Sequence, residues 1–322
     1  MPSKVFISGA LGFIGSVLAD RYRSDGAEVR GVDVRADPAR GVVAGDISQA
    51  GAWQEHAVGC DLVVNTAAYV GFGGTLDDVW RVNVLGTRRM IDAAASGGAE
   101  RFVQFSSVTT FGFDYPDGVD ETYPVRLTGN PYPDSKIASE QVTLQAHLAG
   151  DVRATIVRPG DVYGPRSRGW TLLPAKMIKS GQMVLPAGGH GQIGPVYVDN
   201  LADGVMLAAA SPEAVGEIFT IADGYAIEIG EFFGHYVRML GKSGIRALPT
   251  PVARTIAAAG GRIEKTLGRD TEMSAASIDY LAKRGGAYSI EKARRVLGYE
   301  PKVTLEEGMR RCEEWLRSEG VF

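Results

Sequence analysis

Short apolar runs alternate with helical patterns through the first half of the chain, and this alternation restricts the possible folds more than any other feature. The apolar runs are continuous, as expected for strands that helices cover on both faces. They span residues 4–10, 28–34, 42–46, 61–68, 101–107 and 153–159. The helical patterns between them span residues 12–24, 50–58, 79–96 and 132–149. This order predicts an α/β fold built on a doubly wound parallel sheet.

A glycine-rich turn joins the first predicted strand to the first predicted helix. Gly9, Gly12 and Gly15 stand where the chain must turn tightly and let a pyrophosphate approach the free N–H groups of a helix N-terminus. In a chain with 42 glycines the spacing alone is weak evidence, and its position between strand and helix gives it weight. We therefore predict that this turn, with Phe13 and Ile14, binds a dinucleotide.

Acidic residues near the next two strand ends bear on the choice of dinucleotide. Asp33 can accept hydrogen bonds from a ribose diol and would repel a 2′-phosphate, which favours NAD. An exposed turn aspartate is the alternative, and Arg35 leaves NADP open because a guanidinium can accommodate a phosphate. Asp46, followed by Ile47, can bond an adenine amino group, and a helix N-cap is an equal alternative for it.

The second half of the chain is less regular. A strand at 196–199, a helix at 201–210 and a strand at 217–222 follow a stretch rich in glycine, proline and aromatic residues, and the remainder is mostly helical. We predict an NAD(P)-binding Rossmann domain over residues 1–160, completed by parts of 196–222. A smaller, mostly helical substrate-binding lobe is predicted over residues 161–322.

Tyr132 and Lys136 begin a predicted helix and lie four residues apart, so both side chains share one helical face. A free tyrosine has a pKa of about 10, and a neighbouring ammonium together with a positive nicotinamide ring would lower it. Ser107 ends a strand at the edge where ligands of parallel sheets bind. This spacing is common by chance, but its position predicts acid–base chemistry on an alcohol or ketone.

Composition excludes several other classes of protein. The 34 basic residues are outnumbered by 38 acidic ones, which argues against a nucleic-acid partner. No apolar stretch is long enough to span a membrane, and the first residues run directly into a predicted strand, so we expect neither a membrane span nor a targeting leader. Cys60 and Cys312 fit reduced thiols of a cytoplasmic protein, and the four histidines lack metal-ligand spacing, so no metal is expected.

Together these motifs resemble the extended short-chain dehydrogenase/reductase family, of the NAD-dependent epimerase/dehydratase type. The resemblance covers nearly the whole chain and includes the glycine turn and the Tyr132/Lys136 pair. The further motifs are residues 65–68 (NTAA), 83–87 (NVLGT), 106–112 (SSVTTFG), 158–165 (RPGDVYGP), 196–200 (VYVDN) and 297–301 (LGYEP). In this order they are highly specific, although most are not specific alone.

The resemblance implies roles for individual residues. Tyr132 would be the acid/base, Lys136 would orient the nicotinamide ribose and lower the tyrosine pKa, and Ser107 would polarise the substrate oxygen. Asn83 would support the active-site backbone and a proton path. Tyr132 and Lys136 would also contact the cofactor, and the remaining implied cofactor contacts are Ala67, Ala68, Pro159 and Val162. A homodimer through the helices at 79–96 and 132–149 is also implied.

Three departures from the sugar-nucleotide members of this family concern the substrate. Val108 and Thr109 stand where sugar dehydratases place acidic residues. Asp161 replaces the asparagine usual in nucleotide-sugar epimerases and would repel a diphosphate. Residues 192–195 (QIGP) lack the arginine that often grips this diphosphate. All three argue against a sugar nucleotide.

The residues expected around the substrate are largely aromatic. Tyr69, Phe72, Phe111, Asp161 and Trp170 are the predicted substrate-binding residues, and core packing is the alternative for several of them. An apolar pocket suits an uncharged, fairly hydrophobic small molecule. Several motifs also resemble the 3β-hydroxysteroid-dehydrogenase and dihydroflavonol-reductase branch, which implies a sterol-like or similar substrate.

We therefore predict an NAD(P)-dependent alcohol dehydrogenase or ketoreductase acting on a secondary alcohol or ketone. One alternative within the same fold is an NAD-dependent nucleotide-sugar epimerase. An alternative of another class is a non-catalytic dinucleotide-binding regulatory protein, against which the intact Ser107, Tyr132 and Lys136 weigh.

Overall fold

A twisted parallel sheet forms the centre of the computed structural model, which describes residues 2–266 and 274–322. Within these residues the sheet has seven strands, β1 Lys4–Ser8, β2 Glu28–Asp33, β3 Val42–Ala44, β4 Leu62–Asn65, β5 Arg101–Phe105, β6 Ala154–Pro159 and β11 Ile218–Ile221. Their order across the sheet is β3-β2-β1-β4-β5-β6-β11. Every residue of β4 and β6 is buried, which explains their uninterrupted apolar character. The predicted doubly wound α/β fold is confirmed.

Helices cover both faces of this sheet. On one face, α1 (Phe13–Ser24) and α6 (Val198–Ala210) pack into a common core with β1, β4 and β5. On the other face lie α3 (Gly86–Gly97), α4 (Pro131–Ala149) and the 3₁₀ turn Ala52–Ala57, at the position of the helix predicted for residues 50–58. The helix predicted from residue 79 starts earlier, as α2 (Leu76–Trp80), and passes through the π-helical turn Arg81–Leu85 into α3.

The second half of the chain builds small sheets and helices over the carboxyl edge of the main sheet. Its strand pairs are β7 (Asp161–Tyr163) with β10 (Pro195–Tyr197), β8 (Val184–Leu185) with β13 (Arg246–Ala247), and β9 (Gln192–Ile193) with β12 (Ile227–Glu228). Its further helices are α5 (Leu173–Ser180), α7 (Ile229–Met239), α8 (Thr250–Thr266), α9 (Ala275–Ala282), α10 (Glu291–Leu297) and α11 (Leu305–Ser318). No helix of the described residues is both long and apolar enough to pass through a bilayer.

The predicted strand at 196–199 is only partly a strand. Three residues pair with β7 away from the main sheet, and α6 begins at Val198 with Asp199 in its first turn, where a carboxylate favours a helix N-terminus. Asn200 then accepts hydrogen bonds from the backbone N–H groups of Lys302 and Val303, both at 2.9 Å. This motif therefore ties the C-terminal segment to the fold.

Cys60 and Cys312 are buried free thiols, as predicted.

Candidate active site

A cavity of about 810 Å³ opens where the main-sheet strands end. The glycine turn, Ser107, Tyr132 and Lys136 all line it. We call the part of the cavity whose walls include Tyr69, Phe72, Asp161, Trp170, Phe233 and Tyr280 the substrate half. This position is the one at which open α/β sheets bind ligands.

The glycine turn is built for close approach of a ligand to the backbone. Gly9 has φ +65°, and its carbonyl oxygen accepts a hydrogen bond from the Gly12 N–H at 2.9 Å. A Cβ on Gly15 would lie 2.1 Å from that same oxygen, so no larger residue fits there. Gly12 caps α1 without any side chain, which leaves the helix N-terminus open towards the cavity. These features fit the pyrophosphate of a dinucleotide.

The carboxylate of Asp33 holds this turn in place. Its Oδ2 accepts a hydrogen bond from the Leu11 N–H at 3.0 Å, and the residue lines the cavity together with Asp46 and Ile47. Asp46 itself accepts a hydrogen bond from the Ser48 N–H at 2.8 Å. Arg35, in contrast, is exposed and does not line the cavity.

Removing the Asp33 carboxylate tests its predicted contact with the cofactor ribose. Asp33→Ala is expected to weaken NAD binding by about tenfold, since a hydrogen bond to a charged group contributes about 1.5 kcal/mol. NADP binding should fall less, because the repulsion of its phosphate disappears as well. Titration of both cofactors measures this, with the exposed Asp25→Ala as control. Equal losses of NAD and NADP affinity would contradict the assignment.

The phenol and ammonium predicted for acid–base chemistry lie in the first turns of α4. Asn130 caps this helix by accepting a hydrogen bond from the Tyr132 N–H at 3.1 Å, and Tyr132 and Lys136 both face the cavity. Ser107 lies two residues after the end of β5, where it caps the 3₁₀ turn Val108–Phe111. Its hydroxyl lies within hydrogen-bonding reach of the Tyr132 phenol. Its Oγ also accepts hydrogen bonds from the backbone and side chain of Thr109. The structure thus brings all three side chains together.

Burial dominates the proton affinities of this pair. It raises the pKa of Tyr132 to about 12, with the Asp161 carboxylate adding to the increase and the Ser107 hydrogen bond opposing it. It lowers the pKa of Lys136 to about 8, and Glu140 opposes that change. The Lys136 Nζ donates to the Phe105 carbonyl at 2.9 Å. In the protein alone, therefore, the phenol is protonated at neutral pH. The prediction that Lys136 lowers the pKa of Tyr132 is corrected for the protein alone, because desolvation raises that pKa.

Asn83 acts on the site through the backbone. It is buried in the π-helical turn, outside the cavity lining, and exchanges two hydrogen bonds with the main chain of Tyr69, at 2.8 and 3.0 Å. Its Nδ2 also donates to Ser135 Oγ at 2.9 Å. Asn83 thereby fixes the loop after β4 against α4, and Tyr69 is held on the cavity wall.

The remaining predicted residues divide between cavity and core. Ala67, Ala68, Pro159, Val162, Tyr69, Phe72 and Trp170 all line the cavity. Phe111 does not, because its ring is fully buried between Tyr288, at a centroid distance of 6.0 Å, and the Arg158 guanidinium at 4.9 Å. The prediction that Phe111 contacts substrate is therefore corrected: core packing removes this side chain from the wall.

Asp161 also differs from what its sequence context suggests. It lines the cavity, but it is only 3% exposed, and its Oδ2 lies 2.6 Å from Nη1 of Arg284. The Tyr280 hydroxyl donates to its Oδ1 at 2.7 Å. The expected free carboxylate facing the substrate is thus an ion-paired one, because a buried charge requires a partner.

Sequence reasoning missed several residues that helices of the second half of the chain contribute to the substrate half. Tyr280 and Leu281 come from α9, Met177 from α5 and Phe233 from α7. Apolar residues at helical spacing are indistinguishable from core residues in sequence, so no local signal identifies them. Arg284 likewise stands in no recognisable motif.

Comparisons with known proteins agree with this architecture. A model of the family described as "NAD dependent epimerase/dehydratase family" matches residues 5–222. The chain is 27% identical over 319 residues to 4-hydroxy-2-methyl-3-oxo-4-farnesyl-3,4-dihydroquinoline-1-oxide ketoreductase of Stigmatella aurantiaca, covering 95% of this chain and 94% of the relative. It is 28% identical to 3-beta-hydroxysteroid dehydrogenase of Mycolicibacterium neoaurum, with 96% and 90% covered.

Solved structures share the fold at lower identity. UDP-glucose 4-epimerase of Thermotoga maritima, determined with UDP-glucose, superposes with a TM-score of 0.80 at 19% identity and covers 98% of this chain and 99% of its own. At this identity the likeness extends to the fold alone.

Proposed function

Because the chain belongs to the NAD-dependent epimerase/dehydratase family, we propose that it is an oxidoreductase that transfers a hydride between nicotinamide and a fairly hydrophobic secondary alcohol or ketone. The observation that carries this proposal is the Ser107–Tyr132 pair at the border of an aromatic, apolar cavity. NAD is the cofactor of this family, as predicted.

The residues described above fit this cofactor. The glycine turn would hold the pyrophosphate, Asp33 the adenosine ribose and Lys136 the nicotinamide ribose. When bound, NAD accepts the hydride in alcohol oxidation, and its reduced form supplies the hydride in ketone reduction.

The chain's own residues then handle the oxygen and its proton. In reduction, Ser107 and Tyr132 hydrogen-bond the carbonyl oxygen, and Tyr132 donates its proton as negative charge develops there. In oxidation, the same phenolic oxygen receives the proton of the alcohol. Hydride and proton together convert the ketone to the alcohol. Lys136 is held in the cavity wall by the hydrogen bond from its Nζ to the Phe105 carbonyl.

The raised pKa of Tyr132 predicts that ketone reduction and alcohol oxidation depend differently on pH. Reduction uses the protonated phenol, and with a pKa of about 12 this form persists across neutral pH. The kcat/KM for reduction should therefore change less than about twofold between about pH 6 and 8. Oxidation uses the deprotonated phenol, whose fraction rises about tenfold per pH unit below the pKa, so its kcat/KM should rise with pH. Parallel rises in both directions would contradict Tyr132 as the acid.

The walls of the substrate half support an apolar substrate. Trp170 and Phe233 stack at a centroid distance of 6.2 Å, and Phe72 packs edge-on against Tyr132 at 6.4 Å. The Asp161 charge is paired with Arg284 and leaves the wall electrically balanced. The names of the two similar proteins, a ketoreductase and a hydroxysteroid dehydrogenase, agree with ketone or alcohol chemistry on such a molecule.

Net change in cofactor oxidation state tests the proposed reaction. The purified protein is incubated with NAD and a panel of secondary alcohols including sterols, or with NADH and the matching ketones, and NADH absorbance is followed. Stoichiometric gain or loss of NADH supports the proposal. Interconversion of UDP-sugars without net NADH would identify an epimerase instead, and NAD binding without any turnover would favour a regulatory protein.

We also propose a homodimer through α2, α3 and α4. Apolar side chains of α2, of α4 and of the π-helical turn between α2 and α3 are exposed in the single chain, among them Leu76, Trp80, Leu85 and Leu148. Exposed apolar side chains of this kind favour association with a second copy. Light scattering of the purified protein decides between monomer and dimer.

A further inference from the structure

A buried charge network lies directly behind the substrate half of the cavity. At its centre is the guanidinium of Arg284, which follows α9 and is fully buried. Its Nη1 lies 2.6 Å from Asp161 Oδ2, and its Nε donates to the Tyr115 hydroxyl at 3.1 Å. Its Nη2 donates to the Tyr288 hydroxyl, and its charge lies 4.4 Å from the ring centre of Tyr280.

Asp161 stands between this guanidinium and the cavity. The aspartate lines the cavity, whereas Arg284 does not. Both carboxylate oxygens are occupied, Oδ1 by the Tyr280 hydroxyl and Oδ2 by the Gly194 N–H at 3.0 Å and by Arg284. A ligand that enters the substrate half beside Tyr280 therefore meets the carboxylate, and the cation is already neutralised.

The same network positions the aromatic wall above the catalytic phenol. Tyr280, held by Asp161, packs against Phe72 at a centroid distance of 5.4 Å and against Phe113 at 5.5 Å. Phe72 in turn contacts Tyr132. The charge pair therefore contacts the apolar wall through Tyr280. A change in the pair would alter the position of Tyr280, and with it the surface that a substrate touches.

We propose that Asp161 is a specificity-determining residue that substitutes, from within the protein, for the anionic group of a substrate. By neutralising Arg284 it excludes phosphate- or diphosphate-bearing ligands from the substrate half and reserves that space for uncharged molecules. Removal of its charge leaves a buried guanidinium without a counter-ion, which an anion from solution would then satisfy. This inference rests on the proposed function only in taking the substrate half as the place where substrate binds.

Asp161→Asn tests the proposal because it removes the charge and keeps the shape. With NAD saturating, so that the glycine turn is occupied, inorganic pyrophosphate is titrated while the melting temperature is followed. We expect the variant to be stabilised by pyrophosphate and to bind it about tenfold or more tightly than the unmodified protein does. Adding Arg284→Met to Asp161→Asn should abolish this gain. That double variant separates Arg284 from Arg168, which lines the exposed mouth of the cavity and has a partner of its own.

The outcomes separate this inference from the proposed oxidoreductase activity. A folded Asp161→Asn protein that gains no pyrophosphate affinity would overturn the inference, as would a gain that survives in the double variant. If the single variant does not fold, pyrophosphate is titrated into the NAD-loaded unmodified protein instead. Saturable stabilisation by pyrophosphate would contradict the exclusion of anions from the substrate half, and no stabilisation would support it. These readouts need no turnover, so failure of every alcohol and ketone to react would overturn the proposed function alone.

Discussion

Tyr132→Phe is expected to lower kcat by about 10²–10⁴-fold, the usual contribution of a positioned general acid or base. The substitution removes the phenolic oxygen and leaves the ring, so the contact with Phe72 and the start of α4 are preserved. Ser107 remains to hydrogen-bond the substrate oxygen, but its hydroxyl is a poor replacement for the missing acid. NAD affinity should stay within about twofold, because the glycine turn and Asp33 are untouched.

Turnover is measured as the rate of NADH appearance or loss, and cofactor affinity by titration of the same preparation. Tyr123→Phe is the matched control, since this tyrosine packs against Phe111 outside the cavity. We expect that control to retain full turnover. Normal rates in Tyr132→Phe would mean that another group moves the proton, and a parallel loss of NAD binding would point to a structural role.

Glu140→Ala is expected to destabilise the protein by about 3–5 kcal/mol, as found when one partner of a buried ion pair is removed. Glu140 lies on α4 one turn after Lys136 and is 1% exposed in its side chain, against 3% for Arg158. The Arg158 Nε and Nη2 donate to its two oxygens at 2.8 and 2.7 Å, and Ser106 Oγ donates as well. The alanine leaves the guanidinium buried without a counter-charge.

The free energy of unfolding, obtained from denaturant titration, measures this effect. Glu313→Ala, which breaks the exposed pair with Arg317, serves as control and should cost less than about 1 kcal/mol. The double variant Glu140→Leu/Arg158→Met should recover much of the loss, because no charge is left buried. A loss below about 1 kcal/mol in Glu140→Ala would show that the pair is not desolvated as the structure has it.

Glu140 also connects stability to the site. Its charge opposes the lowering of the Lys136 pKa that burial causes, so the alanine variant should hold Lys136 less firmly in its charged form. The row Lys136, Glu140 and Arg158 therefore combines an ion pair that stabilises α4 against β6 with a carboxylate that favours the charged form of Lys136.

The elements predicted correctly are those whose signals are local. A continuous apolar run reports a strand buried on both faces, and a glycine spacing between strand and helix reports a turn that only glycine can make, as the 2.1 Å approach at Gly15 illustrates. The i,i+4 spacing of Tyr132 and Lys136 places both on one helical face whatever surrounds them. Ser107 joins them because carboxyl ends of parallel strands meet at one edge.

Tertiary packing decided the rest. Whether Phe111 faces a substrate or the core depends on Tyr288 and Arg158, which no local pattern links to it. The Tyr132 pKa follows from how much water the whole fold removes from around the phenol. The state of Asp161 depends on Arg284, a residue from the far end of the chain. Local spacing and periodicity thus determined the sheet, the glycine turn and the placement of Tyr132 and Lys136 on one helical face, because backbone geometry acts over a few residues. Burial and charge pairing, which depend on contacts between distant segments, were determined only when the chain folded.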